Sequence, residues 1–141
     1  MPNVRGWTNT YQNWYIRDVE ELRRKLIWMG STREDLRAMP VDVRRAIGYA
    51  LDWAQRGWKH PRARAMKGPL LGGVMEVVED FDGDTYRTAY IARFASAIYV
   101  LHVFQKKSVR GIATPRRHLA TIRRRLTAAR ALDSGGGHAA R

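Results

Sequence analysis

The chain has 141 residues, 45% of them hydrophobic and 28% charged, with no cysteine and a formal charge of +13. That length supports one domain with its own core, and the composition is that of a globular rather than a disordered chain. The missing cysteines exclude disulfides, thiolate catalysis and a Cys-based zinc site.

The four histidines, His60, His102, His118 and His138, show no ligand-like spacing, so neither a metal nor any other cofactor is expected. No stretch approaches the ~20 apolar residues of a membrane span and no signal peptide opens the chain, which implies a cytoplasmic location. The charge is uneven. Residues 106–130 carry nine Lys or Arg and no acid, whereas residues 76–84 carry five acids and no base. Several cations on one surface gain by displacing counterions from a phosphate backbone, so a polyanion is the expected partner. Codon bias accounts for 21 Arg against 5 Lys; it does not account for the acid-free stretch.

In chain order, residues 1–23 are polar and aromatic, then mixed in charge, and read as an extension. "KLIWMG", 25–30, is a short apolar run closed by glycine, as in a strand. Ser31 or Thr32 offers an N-cap, with Glu34 three residues after Ser31 as a capping box, before a short helix. Pro40 suits a first helical position, and Val43, Ile47, Ala50, Leu51 and Ala54 recur at helical steps as far as Gly57. Residues 59–73, with Pro61, Pro69 and three glycines, read as a basic loop.

Three strands follow, over 74–80, 85–94 and 97–105. Asp82-Gly83 is the favoured pair for a two-residue hairpin turn, and Ala95-Ser96 can close the second hairpin. The third strand is apolar on both parities, with Tyr99, Leu101 and Val103 on one and Ile98, Val100 and Phe104 on the other, which predicts a central position. Thr114 caps a last helix with Pro115 in its first turn and a stripe of Leu119, Ile122, Leu126 and Ala129. From Asp133 a disordered tail is expected. The fold class is α+β: an antiparallel-rich sheet, an N-terminal helical hairpin and a basic C-terminal helix.

The two hairpin turns set a register that places Arg87 opposite Phe104, diagonal to Lys106 on the same face, and opposite Val78 with Glu76 and Asp80 nearby. Arg93 lies six residues on, roughly 20 Å along a strand at ~3.3 Å per residue, so it belongs to a salt bridge or a partner contact, or to a second contact on an extended ligand. A cluster of Arg87, Lys106, Lys107 and Lys67 suits a phosphodiester. RNA is cut without metal when its 2′-hydroxyl attacks the adjacent phosphorus, given cations for the developing charge and a group to move protons. Glu76, Asp80, Tyr86, His102 and His118 are the titratable groups within reach. His102, inside an apolar strand, reads as a satisfied core histidine first; His118, one turn into the last helix, is the better proton-transfer candidate, with plain surface filler as its alternative. Trp53, Trp58, Tyr90 and Tyr99 read as packing. Gly72-Gly73 lacks the strand-before, helix-after context of a phosphate loop.

The run "DGDTYRTAYIARFASAIYVLHVFQKKSVRGIATPRR", with "KLIWMGS", "MPVDVRRAIGYALDWAQRG" and "AMKGPLLGGVMEVVED" before it, resembles the phage-derived branch of the RelE/HigB toxin family over residues 24–130. "LHVFQKKS" followed by "GIATP" is the specific part of the likeness. The resemblance implies a RelE-like domain over 24–132 and the toxin of a toxin-antitoxin pair. It further implies a metal-independent, ribosome-dependent mRNA endonuclease that arrests growth, silenced by an antitoxin of helix-turn-helix type. Carried over by position, Arg87 in "TYRTAY" matches the arginine that binds the scissile phosphate, and Lys106 or Lys107 the basic position after the last strand. Gln105, Arg110, Arg116, Arg117, Lys67 and Arg93 would then contact RNA or the ribosome.

Relatives carry lysines where this chain has the acidic "MEVVED", so Glu76 or Asp80 takes the proton-transfer role or catalysis is organised differently. The tyrosine of some relatives has no counterpart, and His118 would substitute. The competing reading is non-enzymatic: a ParE-like toxin that binds DNA gyrase, or an inactive nucleic-acid-binding relative. Loss of Arg87 or of the Lys106 region would disable an endonuclease and leave a gyrase poison active.

Overall fold

The computed structural model describes residues 23–106 and 113–139. The extension expected over 1–23 lies outside them except for Arg23, as do Lys107 and Arg110. In chain order the elements are β1 (Lys25–Trp28), α1 (Thr32–Arg37), α2 (Val41–Gln55), β2 (Ala63–Ala65), β3 (Val74–Phe81), β4 (Asp84–Ile91), β5 (Ala97–Lys106) and α3 (Arg116–Ala139). The strands form one sheet in the order β1-β5-β4-β3-β2, antiparallel except for the parallel pair β1–β5. This is the expected α+β arrangement.

Helices cover both faces. The apolar stripe of α2, Val43, Ile47, Ala50, Leu51 and Ala54, packs with Val77, Tyr86, Tyr90, Ile98, Val100 and Val103 on one face. On the other, Ile122, Leu126 and Ala129 of α3 pack with Val74, Ala89, Ile91, Tyr99 and Leu101. β5, apolar on both parities, therefore sits between two helical layers, as a strand without a polar face must. The β3–β4 hairpin turns through Asp82 and Gly83 at φ 51° and 83°, the left-handed pair that matches strand twist. It sets Val78 opposite Arg87 as expected.

The β4–β5 pair is less regular. Near its open end Arg87 faces Phe104 and Thr85 faces Lys106, but between Ala89↔His102 and Tyr90↔Val100 the register shifts by one, leaving Leu101 as a bulge. The bulge reverses the parity of β5. Val103 joins Ile98 and Val100 on the α2 face, while Leu101 and Phe104 lie on the α3 face, which corrects the strict alternation read from the sequence. Nor is the second turn of two residues: β4 ends at Ile91 and β5 begins at Ala97. Arg24 clamps that connection, donating to the carbonyls of Ala92 at 2.5 Å, Phe94 at 2.9 Å and Ala54 at 2.8 Å.

Four other expectations need correction. Ser31 makes no side-chain cap; its hydroxyl donates to Asp35 at 2.8 Å instead. Pro40 precedes α2 as its N-cap. The loop over 59–73 contains β2, which pairs Arg64 with Glu76. The tail expected from Asp133 instead continues α3, and Asp133 accepts from Ser96 at 2.5 Å and Tyr99 at 3.4 Å.

Leu126, 1% exposed, is the centre of the α3 contact. Leu126→Ala should cost about 2–5 kcal/mol in denaturant unfolding; a cost below ~1 kcal/mol would mean that α3 does not carry that side of the core.

Candidate functional site

Arg87 is buried, 3% exposed, near the open end of β4. Its Nη1 reaches Glu76 Oε2 at 3.4 Å on β3 and Thr114 Oγ1 at 3.2 Å just before α3. Both contacts are long for a guanidinium, and Nε, also buried, has no partner among the described residues. Thr114 thus serves Arg87 rather than capping the helix, and Pro115 receives the first helical N–H groups, those of His118 and Leu119.

Glu76 and Thr114 also line a cleft of about 730 Å³ with Arg64, Met66, Lys67 and Ala113. Lys106, diagonal to Arg87 in the β4–β5 ladder, donates to the Ala113 carbonyl at 3.0 Å. Arg87, Glu76, Lys67 and Lys106 are therefore brought together around one cleft between the β2–β3 edge and the start of α3. Arg64 on β2 counted in the sequence only toward the basic character of the 59–73 loop and not as a site residue; the signal for its strand was the alternation "ARA", three residues long.

The other candidates lie elsewhere. Gln105 lines a separate pocket on the α1 side and donates to Asp84 at 2.7 Å. Asp80 accepts from Thr85 at 2.9 Å, beside the hairpin turn. Arg93 borders a third pocket with Trp58. Arg116 and Arg117 are exposed on the first turn of α3.

His118 is bonded to His102, Nδ1 to Nε2 at 2.8 Å. On its other side His102 meets Arg125 Nη1 through Nδ1 at 3.2 Å, and Arg125 donates also to the Leu101 carbonyl at 3.0 Å. Arginine only donates, so His102 Nδ1 accepts from Arg125. At the other end of the pair Arg117 Nε donates to His118 Nε2 at 3.4 Å. His118, the proton-transfer candidate, is thus tied into a ring pair flanked by an arginine at each end.

Phe104 stacks on both imidazoles, at centroid distances of 5.0 and 3.9 Å. Burial, then the neighbouring His118 and Arg125, push His102 down to about 4; Asp35 opposes this. Burial, then Arg117, lowers His118 as well. Among the described residues no three His, Asp or Glu side chains group closely enough to hold a metal ion. No helix there is long and apolar enough to cross a membrane.

The site is thus a buried arginine of an α+β sheet set behind a cleft that Arg64 and Lys67 line. The family model for "Phage derived protein Gp49-like (DUF891)" matches residues 34–127, and the chain belongs to that family. The family is associated with the toxins of toxin-antitoxin systems, whose partner is an antitoxin. No curated protein gives a significant match.

The histidine pair predicts a pH dependence. His102 titrates in the fold below its ordinary 6.5, so the folded state binds fewer protons than the unfolded chain. Its contribution to stability is complete above pH 6.5 and is lost as pH falls toward 4. Melting temperature should drop over that interval more steeply in the parent than in His102→Gln. Parallel curves for the two proteins would refute the neutral pair.

Proposed function

We propose that the protein is the toxin of a toxin-antitoxin pair and acts as a metal-independent, ribosome-dependent mRNA endonuclease. The observation that carries this reading is Arg87: a buried guanidinium with two long contacts and an unpartnered Nε, reaching the cleft through Glu76 and Thr114. A buried donor left so poorly matched fits a site whose better acceptor arrives with the ligand.

In the proposed reaction a phosphate oxygen takes the place of the Thr114 hydroxyl at Arg87, while Arg64 and Lys67 hold neighbouring phosphates at the rim. Glu76 accepts the proton of the ribose 2′-hydroxyl as that oxygen bonds to phosphorus. The P–O5′ bond breaks, leaving a 2′,3′-cyclic phosphate, and the departing 5′-oxygen takes up a proton from water. Arg87 and Lys106 stabilise the charge that grows on the phosphoryl oxygens. The acidic β3 strand then has a purpose: Glu76 is the base on a face where every other charge at the cleft is positive. Dependence on the ribosome and silencing by a helix-turn-helix antitoxin rest on the resemblance to RelE/HigB toxins.

Induction in a bacterial host with mapping of mRNA 5′ ends, with and without ribosomes, tests this directly. New ends should appear with ribosomes present. Arg87→Ala and Glu76→Gln should each lower their yield on the order of 10²–10³-fold, the scale for losing one group that acts in the transition state. Lys106→Ala should lower it too, and Arg64→Ala and Lys67→Ala, both exposed, should weaken it without unfolding the protein. Growth arrest without new RNA ends, or cleavage undiminished by the Arg87 and Lys106 substitutions, would exclude the endonuclease and favour a gyrase-binding toxin.

A further inference from the structure

A second basic recess lies past the far end of β4, away from the Arg87 cleft. It has a volume of about 290 Å³ and is bounded by Arg24, Gly57, Trp58, Lys59, Gly73, Met75, Tyr90, Ala92 and Arg93. Three cations face it and no acid does. Arg24 is committed to carbonyl oxygens, but Lys59 and Arg93 are exposed and pair with no acid among the described residues. Arg93 lies against the backbone of Gly73, where a Cβ would come within 2.7 Å of its Cδ. A side chain there would displace it.

The wall of the recess is Trp58, 55% exposed rather than packed away. Its position is fixed by the way α2 ends. Gly57, at φ 85°, donates to the Ala54 carbonyl at 3.0 Å and Trp58 to the Trp53 carbonyl at 2.9 Å, the paired bonds of a Schellman motif. The hydrophobic contact that accompanies the motif is made by Trp53 and Trp58, edge to face at 6.0 Å. Trp53 in turn meets Tyr49 at 6.0 Å and His60 at 5.2 Å. The indole is thus braced on one side and open on the other, beside two uncommitted cations.

An aromatic face next to a groove of positive charge is how single-stranded nucleic acid is held without regard to sequence: a base stacks on the ring and the flanking phosphates meet the cations. An acidic peptide would use the cations and leave the ring without a purpose. We infer that the Trp58–Arg93 recess binds one nucleotide of single-stranded RNA, the base on Trp58 and its phosphates on Lys59 and Arg93. This deepens the RNA reading of the Arg87 cleft and rests on it: the recess is a second hold on the same strand.

The test is fluorescence anisotropy of the purified full chain with labelled single-stranded oligoadenylate, and with that strand annealed to oligouridylate, over a series of salt concentrations. Trp58→Ala should weaken single-strand binding by roughly 5- to 150-fold, the range for one stacked base, and leave duplex binding unchanged. Trp58→Phe, which keeps a ring for packing and stacking, should fall between the two. Arg93→Gln should reduce the salt slope by about one. Single-strand binding unaffected by Trp58→Ala, or equal losses on single strand and duplex, would overturn the inference. So would loss of antitoxin binding with RNA binding intact, which would assign the recess to a protein. Trp58-dependent RNA binding by a chain that creates no mRNA ends would remove the endonuclease and keep the recess; cleavage with Trp58-independent binding would do the reverse.

Discussion

The bulge at Leu101 is the constraint on which the rest of the structure depends. β5 has to present apolar side chains to two helical layers and still end with a lysine beside the Arg87 cleft. A regular strand cannot put Tyr99, Leu101 and Phe104 on one face. With one residue inserted, Leu101 and His102 both turn toward α3, and every later position changes sides. Arg125 holds the irregularity by donating to the Leu101 carbonyl and to His102. Its guanidinium occupies space beside Gly30 that a Cβ would invade at 2.6 Å. A helix, a bulge and the turn after β1 are locked together by one side chain, and Phe104 and Lys106 reach the α3 face as a result.

What could be read from the sequence follows from which of these features have local causes. The β3–β4 register was legible because Asp82-Gly83 dictates a turn with positive φ at both residues, and a two-residue turn fixes every later pair. The α2 and α3 stripes were legible because burial enforces the 3.6-residue period. The bulge had no such signal. Its energetic support comes from Arg125, 24 positions away, so a strand alternating regularly in the sequence alternates only in part in space. Arg87 and Lys106 still came out as neighbours because the extra residue of the bulge restores, beyond Ala89, the pairing that a two-residue turn would set and that the actual connection shifts by one.

The histidines and tryptophans divide the same way. His102 fitted a core residue, satisfied at both ring nitrogens. The setting of His118 could not be read from position, because its contacts run to His102 on β5 and to Arg117 beside it. Trp58 was read as packing on its hydrophobicity, but the chain leaves α2 through a left-handed glycine, and that geometry turns the indole outward. Where a backbone conformation rather than a transfer free energy places a side chain, composition gives the wrong answer.

The distribution of charge is ordered by the same frame. Glu76 sits on β3 opposite Ala89 and next to Arg87. β2, too short to announce itself, brings Arg64 directly opposite Glu76 in the ladder. A carboxylate bonded to Arg87, with Arg64 opposite it in the ladder, is held at a fixed place, which a proton acceptor needs and a random surface acid lacks. The acidic stretch that interrupts a basic sequence is therefore consistent with the proposed reaction rather than opposed to it. At the cleft it supplies a carboxylate, and the sheet order that places β4 between β3 and β5 is what allows Glu76, Arg87 and Lys106 to meet on a single face.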